Sequence, residues 1–337
     1  MPVRWSGLTC GVSVLKKLIG ILVFLGLVGL ALWQFSPWPS ALFYRHLFDK
    51  TGVAMNDALA KHVPVGVTVR RDIGYGPDAI EKLDVYVPSG IEGSDRMLPT
   101  IFWVHGGGFL SGDKNQVSNY LRIISATGYA GVGINYTLAP SAQHPKPTQQ
   151  ANAALAFIKA NAAKLNVDAD RVILAGDSAG AQIAAQLGIA ISEPNFARSL
   201  DITPAIPRSA LRGLLLHCGI YDPDSFKMSV YRKTVNWSYL GTKELRGSAM
   251  PKQFSIVRNI TQKMPPMFIT AGNADPLLPH SKTLADTARN IGVTVDTLFF
   301  PDDHSPPLQH EYEFDLDTAA GQLALRRSLA FIAERTQ

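Results

Sequence analysis

Ile173-Leu174-Ala175-Gly176-Asp177-Ser178-Ala179-Gly180 passes from a short aliphatic run into a Gly-x-Ser-x-Gly turn, and Ala181–Ile191 continues it with helix-forming small residues. A strand that turns sharply into a helix at a serine has the form of a nucleophile elbow. Gly176 and Gly180 let strand and helix approach closely, with Asp177 between the first glycine and the serine. Serine is a poor nucleophile at neutral pH, so Ser178 needs a base within hydrogen-bond reach. A strand–turn–helix unit of this kind belongs to a parallel sheet, which sets the fold class for the rest of the chain.

Upstream, Thr100–Val104 is a compact apolar run that ends in His105-Gly106-Gly107-Gly108-Phe109. Three glycines after a strand leave backbone N–H groups unshielded, which suits them to an oxyanion. The N–H of Ala179 stands at a helix start, where the helix dipole adds to the same effect. Gly107, Gly108 and Ala179 are therefore the expected oxyanion donors. His105 reads as a loop-shaping residue, with Gly106, Gly176, Asp177 and Gly180 as motif support.

In the chain order nucleophile, acid, base, the base follows Ser178, and four histidines do so: His217, His280, His304 and His310. His217 ends an apolar run and reads as sheet-end packing. His304 follows the run Val295–Phe299 through Pro301-Asp302-Asp303 and is the expected base, with His280 and His310 as alternatives. Asp275, after Met267–Ala271, is the expected acid, because it would leave the same sheet edge as Ser178. Asp302 and Asp303 read as a solvated turn.

Further candidate strands lie at Val67–Arg70, Leu83–Val87, Gly131–Tyr136 and Leu211–His217. Helical patterns separate most of them: Gln116–Thr127, Thr148–Leu165, Leu284–Ile291 and Gly321–Ala333. The expected architecture is α/β, a mostly parallel central sheet with helices on both faces. Two segments break the alternation. Residues 36–66 read as a connector and short helix, and residues 222–263, with Tyr231, Trp237, Tyr239 and Phe254, read as a small cap inserted in a catalytic domain of residues 67–337.

The chain has 337 residues, two cysteines and a net charge of +5. No Lys/Arg cluster alternates with aromatic residues, so no nucleic-acid partner is expected. Cys10 and Cys218 form no disulfide framework. Leu18–Phe35 is almost wholly apolar and would span roughly 27 Å as a helix, close to a bilayer's hydrocarbon thickness. Arg4, Lys16 and Lys17 precede it, and Trp33, Phe35 and Trp38 border its end. Residues 1–35 are thus expected to be a transmembrane signal-anchor, N-terminus cytoplasmic and catalytic domain on the far side; secretion after cleavage is the alternative.

His105–Asp113, Asn135-Tyr136-Thr137-Leu138-Ala139-Pro140, Gly176–Gly180 and Asp275-Pro276-Leu277 together resemble the α/β-hydrolase fold. More narrowly, the chain is similar to carboxylesterases of the hormone-sensitive-lipase type, over roughly residues 65–335. Leu83-Asp84-Val85-Tyr86-Val87-Pro88 and Ser-Ala-Gly-Ala at the elbow also resemble the branch that holds feruloyl esterases and formamidases. The resemblance implies a Ser-Asp-His triad, no metal or organic cofactor, and short- to medium-chain esters as substrates, with an amidase or formamidase as the alternative. The chain departs from the pattern at Thr137, Ser141, Ala181-Gln182 and Ser305-Pro306, which leaves the ester unspecified.

Overall fold

A computed structural model of the chain describes residues 8–222, 229–243 and 251–337. Parts of the expected cap, residues 223–228 and 244–250, lie outside the described residues. The chain begins with helices α1 (Leu8–Phe35) and α2 (Trp38–Leu59), then strands β1 (Val67–Gly74), β2 (Lys82–Pro88) and β3 (Leu98–Val104). Helix α3 (Ser118–Ser125) leads to β4 (Ala130–Ile134), and α4 (Lys146–Ala160) and α5 (Ala162–Leu165) lead to β5 (Val167–Asp177). Next come α6 (Ser178–Ser192), α7 (Pro194–Ser199), β6 (Leu211–His217) and α8 (Val230–Val235). The chain closes with β7 (Met267–Ala271), α9 (Leu278–Asn290), β8 (Val295–Phe299) and α10 (Ala319–Thr336).

The strands form one eight-stranded sheet in the order β1-β2-β4-β3-β5-β6-β7-β8. Pairing is antiparallel at β1–β2 and β2–β4 and parallel from β4 to β8. Both faces are covered, and the strand pleat divides the core accordingly. Phe102, Val104, Val172 and Leu174 face one apolar layer, whereas Ile101, Trp103, Ile173 and Ala175 face the other. Successive residues of a strand point to opposite faces, so a run without alternation is what a doubly covered strand requires. Helix α6, buried along its whole length, lies against β5 and β6. Each strand expected from the sequence falls within an observed one, except the end of Gly131–Tyr136, where β4 stops at Ile134.

The expected membrane span is corrected here. Among the described residues no helix is long and apolar enough to cross a membrane. Helix α1 begins at Leu8, so Lys16 and Lys17 lie within it rather than ahead of it. The single-pass placement and the membrane as a partner therefore fall away. Helix α1 leads into α2, which starts at a proline-rich step and packs against α3 and α8.

Candidate active site

The sheet register builds the site. Val104 pairs with Gly176, Asp177 with His217, and His217 with Thr270. The residues that follow these strand ends therefore emerge side by side. Ser178 is at φ 50°, a left-handed backbone that costs a non-glycine residue on the order of 1–3 kcal/mol. The flanking glycines make this turn possible. A Cβ at Gly176 would lie 2.7 Å from the Val104 carbonyl oxygen and 2.6 Å from the Gly180 carbonyl carbon. A Cβ at Gly180 would overlap that same Val104 oxygen.

Asp177 ties the elbow to the glycine loop. Its carboxylate accepts the Trp103 indole N–H at 2.8 Å and the Gly106 N–H at 2.8 Å. Burial pushes its carboxyl up to about 8, and the Glu311 carboxylate beside it adds to the rise. His105 shapes the loop: Nδ1 lies 2.8 Å from the Gly106 carbonyl oxygen, and the ring stacks on Tyr136 at 4.4 Å. Burial lowers its pKa, which keeps the ring neutral. Gly107 and Gly108 have φ of 105° and 62°, and among the described residues their N–H groups have no backbone acceptor. The Ala179 N–H is one of the helix-start donors that the helix itself leaves unpaired. Gly107 and Gly108 line the same cavity as Ser178, and Ala179 follows Ser178 in the first turn of α6.

The histidine beside Ser178 is His310, not the expected His304. His310 Nε2 lies 3.0 Å from Ser178 Oγ, and Nδ1 lies 2.9 Å from Asp275 Oδ2. Asp275 is buried and also accepts the Leu277 N–H at 2.7 Å, which fixes its second oxygen. His304 instead stays in the turn after β8, its ring 4.6 Å from Phe300 and its carbonyl accepting Asn273 Nδ2 at 3.1 Å. The chain then runs back toward β7: the Leu308 N–H donates to Asn273 Oδ1, and its carbonyl accepts the Ala274 N–H. That return brings residue 310 to Asp275. His280 sits in the cavity wall, where its Nδ1 accepts the Asp222 N–H at 3.2 Å, and His217 is wholly buried beside Ser328.

No motif marks the two acids that follow His310. Glu311, at φ 63°, places Oε1 3.8 Å from His310 Nε2, and Glu313 is fully buried. Burial alone would lower the His310 pKa, but the Asp275 hydrogen bond and the charges of Glu311, Asp275 and Glu313 raise it to about 9. Burial also pushes Glu313 up to about 8. Cys218, His310 and Glu311 come close enough to share an ion, yet both His310 nitrogens already face Asp275 and Ser178.

Ser178, Asp275 and His310 open into a cavity of about 920 Å³. Leu47, Phe48 and Met55 of α2 line it, with Tyr231, Leu277 and Phe314. The sequence matches the BD-FAE family over residues 83–287. The chain belongs to that family, which is of the α/β-hydrolase type. Among solved structures, it resembles esterase B from Lactobacillus rhamnosis at a TM-score of 0.76 and 21% identity, covering 89% of this chain and 96% of that one. It also resembles a bacterial heroin esterase, at a TM-score of 0.68 and 22% identity over 87% and 91% of the two chains. The carboxylesterase EstE1, cloned from a metagenomic library, gives a TM-score of 0.68 at 21% identity over 90% and 98%. These likenesses establish the α/β-hydrolase fold of the chain.

Proposed function

We propose that this BD-FAE member is a serine carboxylesterase that cleaves carboxylic esters through an acyl-enzyme. The observation that carries the reading is the continuous Ser178–His310–Asp275 hydrogen-bonded chain in the cavity wall. Ser178 Oγ attacks the ester carbonyl carbon while His310 Nε2 takes its proton. The carbonyl π pair moves onto oxygen, where the Gly107, Gly108 and Ala179 N–H groups meet the charge. Collapse expels the alcohol, protonated by His310, and water repeats the sequence to release the acid. Asp275 holds the imidazole in the tautomer that leaves Nε2 free to accept, and it stabilises the imidazolium.

The cavity volume and its apolar wall suit short to medium acyl chains, and α2 with Ser229 and Tyr231 supplies part of that wall. Esterase B, solved with a C4-C4 tributyrin phosphonate inhibitor, supports the short end of that range. The test is a series of chromogenic esters of increasing acyl length on the parent and on Ser178→Ala. The parent should show a maximum at short or medium chains, and the variant should lose turnover by about 10⁴-fold or more while its melting temperature holds. Activity of Ser178→Ala within tenfold of the parent would sink the reading.

A further inference from the structure

Resting on that reading, we propose that Tyr231 is a further catalytic residue: its hydroxyl donates a hydrogen bond to the oxyanion that forms over Gly108. The first observation is steric. A Cβ at Gly108 would fall on the Tyr231 hydroxyl oxygen, so that oxygen occupies the space directly over the Gly108 Cα. Tyr231 also lines the same cavity as Ser178, His310 and the glycine loop. Among the described residues the hydroxyl has no hydrogen-bond partner, and the half-buried side chain stands at the cavity wall.

The ring is held where this role needs it. Tyr44 and Phe48 of α2 meet it edge-on, at centroid distances of 5.0 and 5.4 Å. Tyr231 itself begins the second position of α8, whose start is capped by Ser229 accepting the Arg232 N–H. Next along the same segment, Tyr239 stacks on Phe109 at 4.0 Å and 9°, which sets the segment against the glycine loop. Burial and the nearby Glu311 charge keep the phenol protonated well above its ordinary range, so the group remains a donor at working pH. As Ser178 Oγ bonds to the carbonyl carbon, the displaced π pair becomes the oxyanion, and the Tyr231 O–H shares its hydrogen without transferring it. Gly108 is then glycine for two reasons. Its φ of 62° favours glycine, and the absent side chain lets the hydroxyl approach.

Tyr231→Phe removes the oxygen and keeps the ring contacts. We expect kcat on a p-nitrophenyl butyrate substrate to fall on the order of 100-fold, the scale of one oxyanion donor, with KM within about threefold. Phosphonylation of Ser178 by an organophosphonate should slow by a similar factor, since the same oxygen develops charge. A melting curve checks folding, and Tyr231→Leu supplies a second variant lacking the hydroxyl should Phe be tolerated poorly. An unchanged kcat, or a rise in KM alone, overturns the role of Tyr231 while Ser178→Ala stays inactive. Turnover surviving in Ser178→Ala would instead overturn the esterase reading itself.

Discussion

Two regions enclose the reacting atoms, and they are held by different means. The floor rises from the ends of β3, β5 and β7, strands whose C-terminal residues are all buried. Their relative positions follow from sheet register, which a one-residue slip would turn inside out. The other wall comes from α2 and the segment after β6. Helix α2 buries only Ser40, Ala41 and Leu59, and its hold on the floor consists of a few aimed polar contacts and rings. The floor is therefore expected to set whether chemistry occurs, and the wall to set how well and on what.

The sharpest test of the floor is the identity of its base. His310→Gln should cost about 10⁴-fold or more in kcat, whereas His304→Gln should change it by less than about threefold. Steady-state kinetics on a single short-chain ester reads both. Equal losses, or a larger loss at His304, would break the assignment.

That pair also marks the limit of what could be read from the residues. Ser178, the glycine loop and Asp275 leave their strands within a few residues, so strand ends and short turns locate them. His310 lies beyond a loop from Phe300 that doubles back across β7 through Asn273 and Leu308. No periodicity marks such a return, and the first histidine after β8, His304, packs on Phe300 while His310 reaches Ser178. Asp177 was legible as part of the motif, yet its bridge from Trp103 to Gly106 needed the β3–β5 pairing. Glu311 and Glu313 carry no motif at all. The N-terminal helix is the converse case, where composition alone suggested a span that the described residues do not support.

The acids around His310 give the next effect, through pH. With its pKa raised to about 9, the imidazole is mostly protonated at neutral pH and cannot take the Ser178 proton. We expect kcat/KM to rise with pH through a midpoint near 9 and to level off only above about 10. Glu311→Gln should move that limb to lower pH and raise neutral-pH activity a few-fold, and an unmoved limb would remove Glu311 from the argument. Stability should run the other way. His310 has a folded pKa above its unfolded value of about 6.5, so its contribution is full below that value and lost as pH rises through about 9. Asp177 and Glu313, both raised to about 8, also bind more protons folded than unfolded up to that pH. Melting temperature should therefore fall between pH 6.5 and 9 as activity rises, and a melting temperature that climbs over that window would contradict this balance.

The smallest effect falls on the link between the regions, and it tests whether the wall merely covers the floor or also sets it. Arg45 on α2 donates from Nε to the Leu110 carbonyl at 2.6 Å and from Nη2 to the Ala139 carbonyl at 2.9 Å. One bond lands just past the glycine loop, and the other on the segment whose Ala139 N–H returns to the Phe109 carbonyl. Asp49, one turn along α2, accepts the Gly112 N–H at 3.1 Å from the same loop. Arg45→Met removes both guanidinium bonds and keeps much of the side-chain stem, so the cost is about 1.5–3 kcal/mol of stability. If these contacts hold Gly107 and Gly108 in register with Ser178, kcat should drop about fivefold with little change in KM, and Arg45→Lys, which can reach one carbonyl, should recover part of it. A fall in melting temperature with kcat untouched would mean that α2 only covers the site, and the floor would then stand on its sheet register alone.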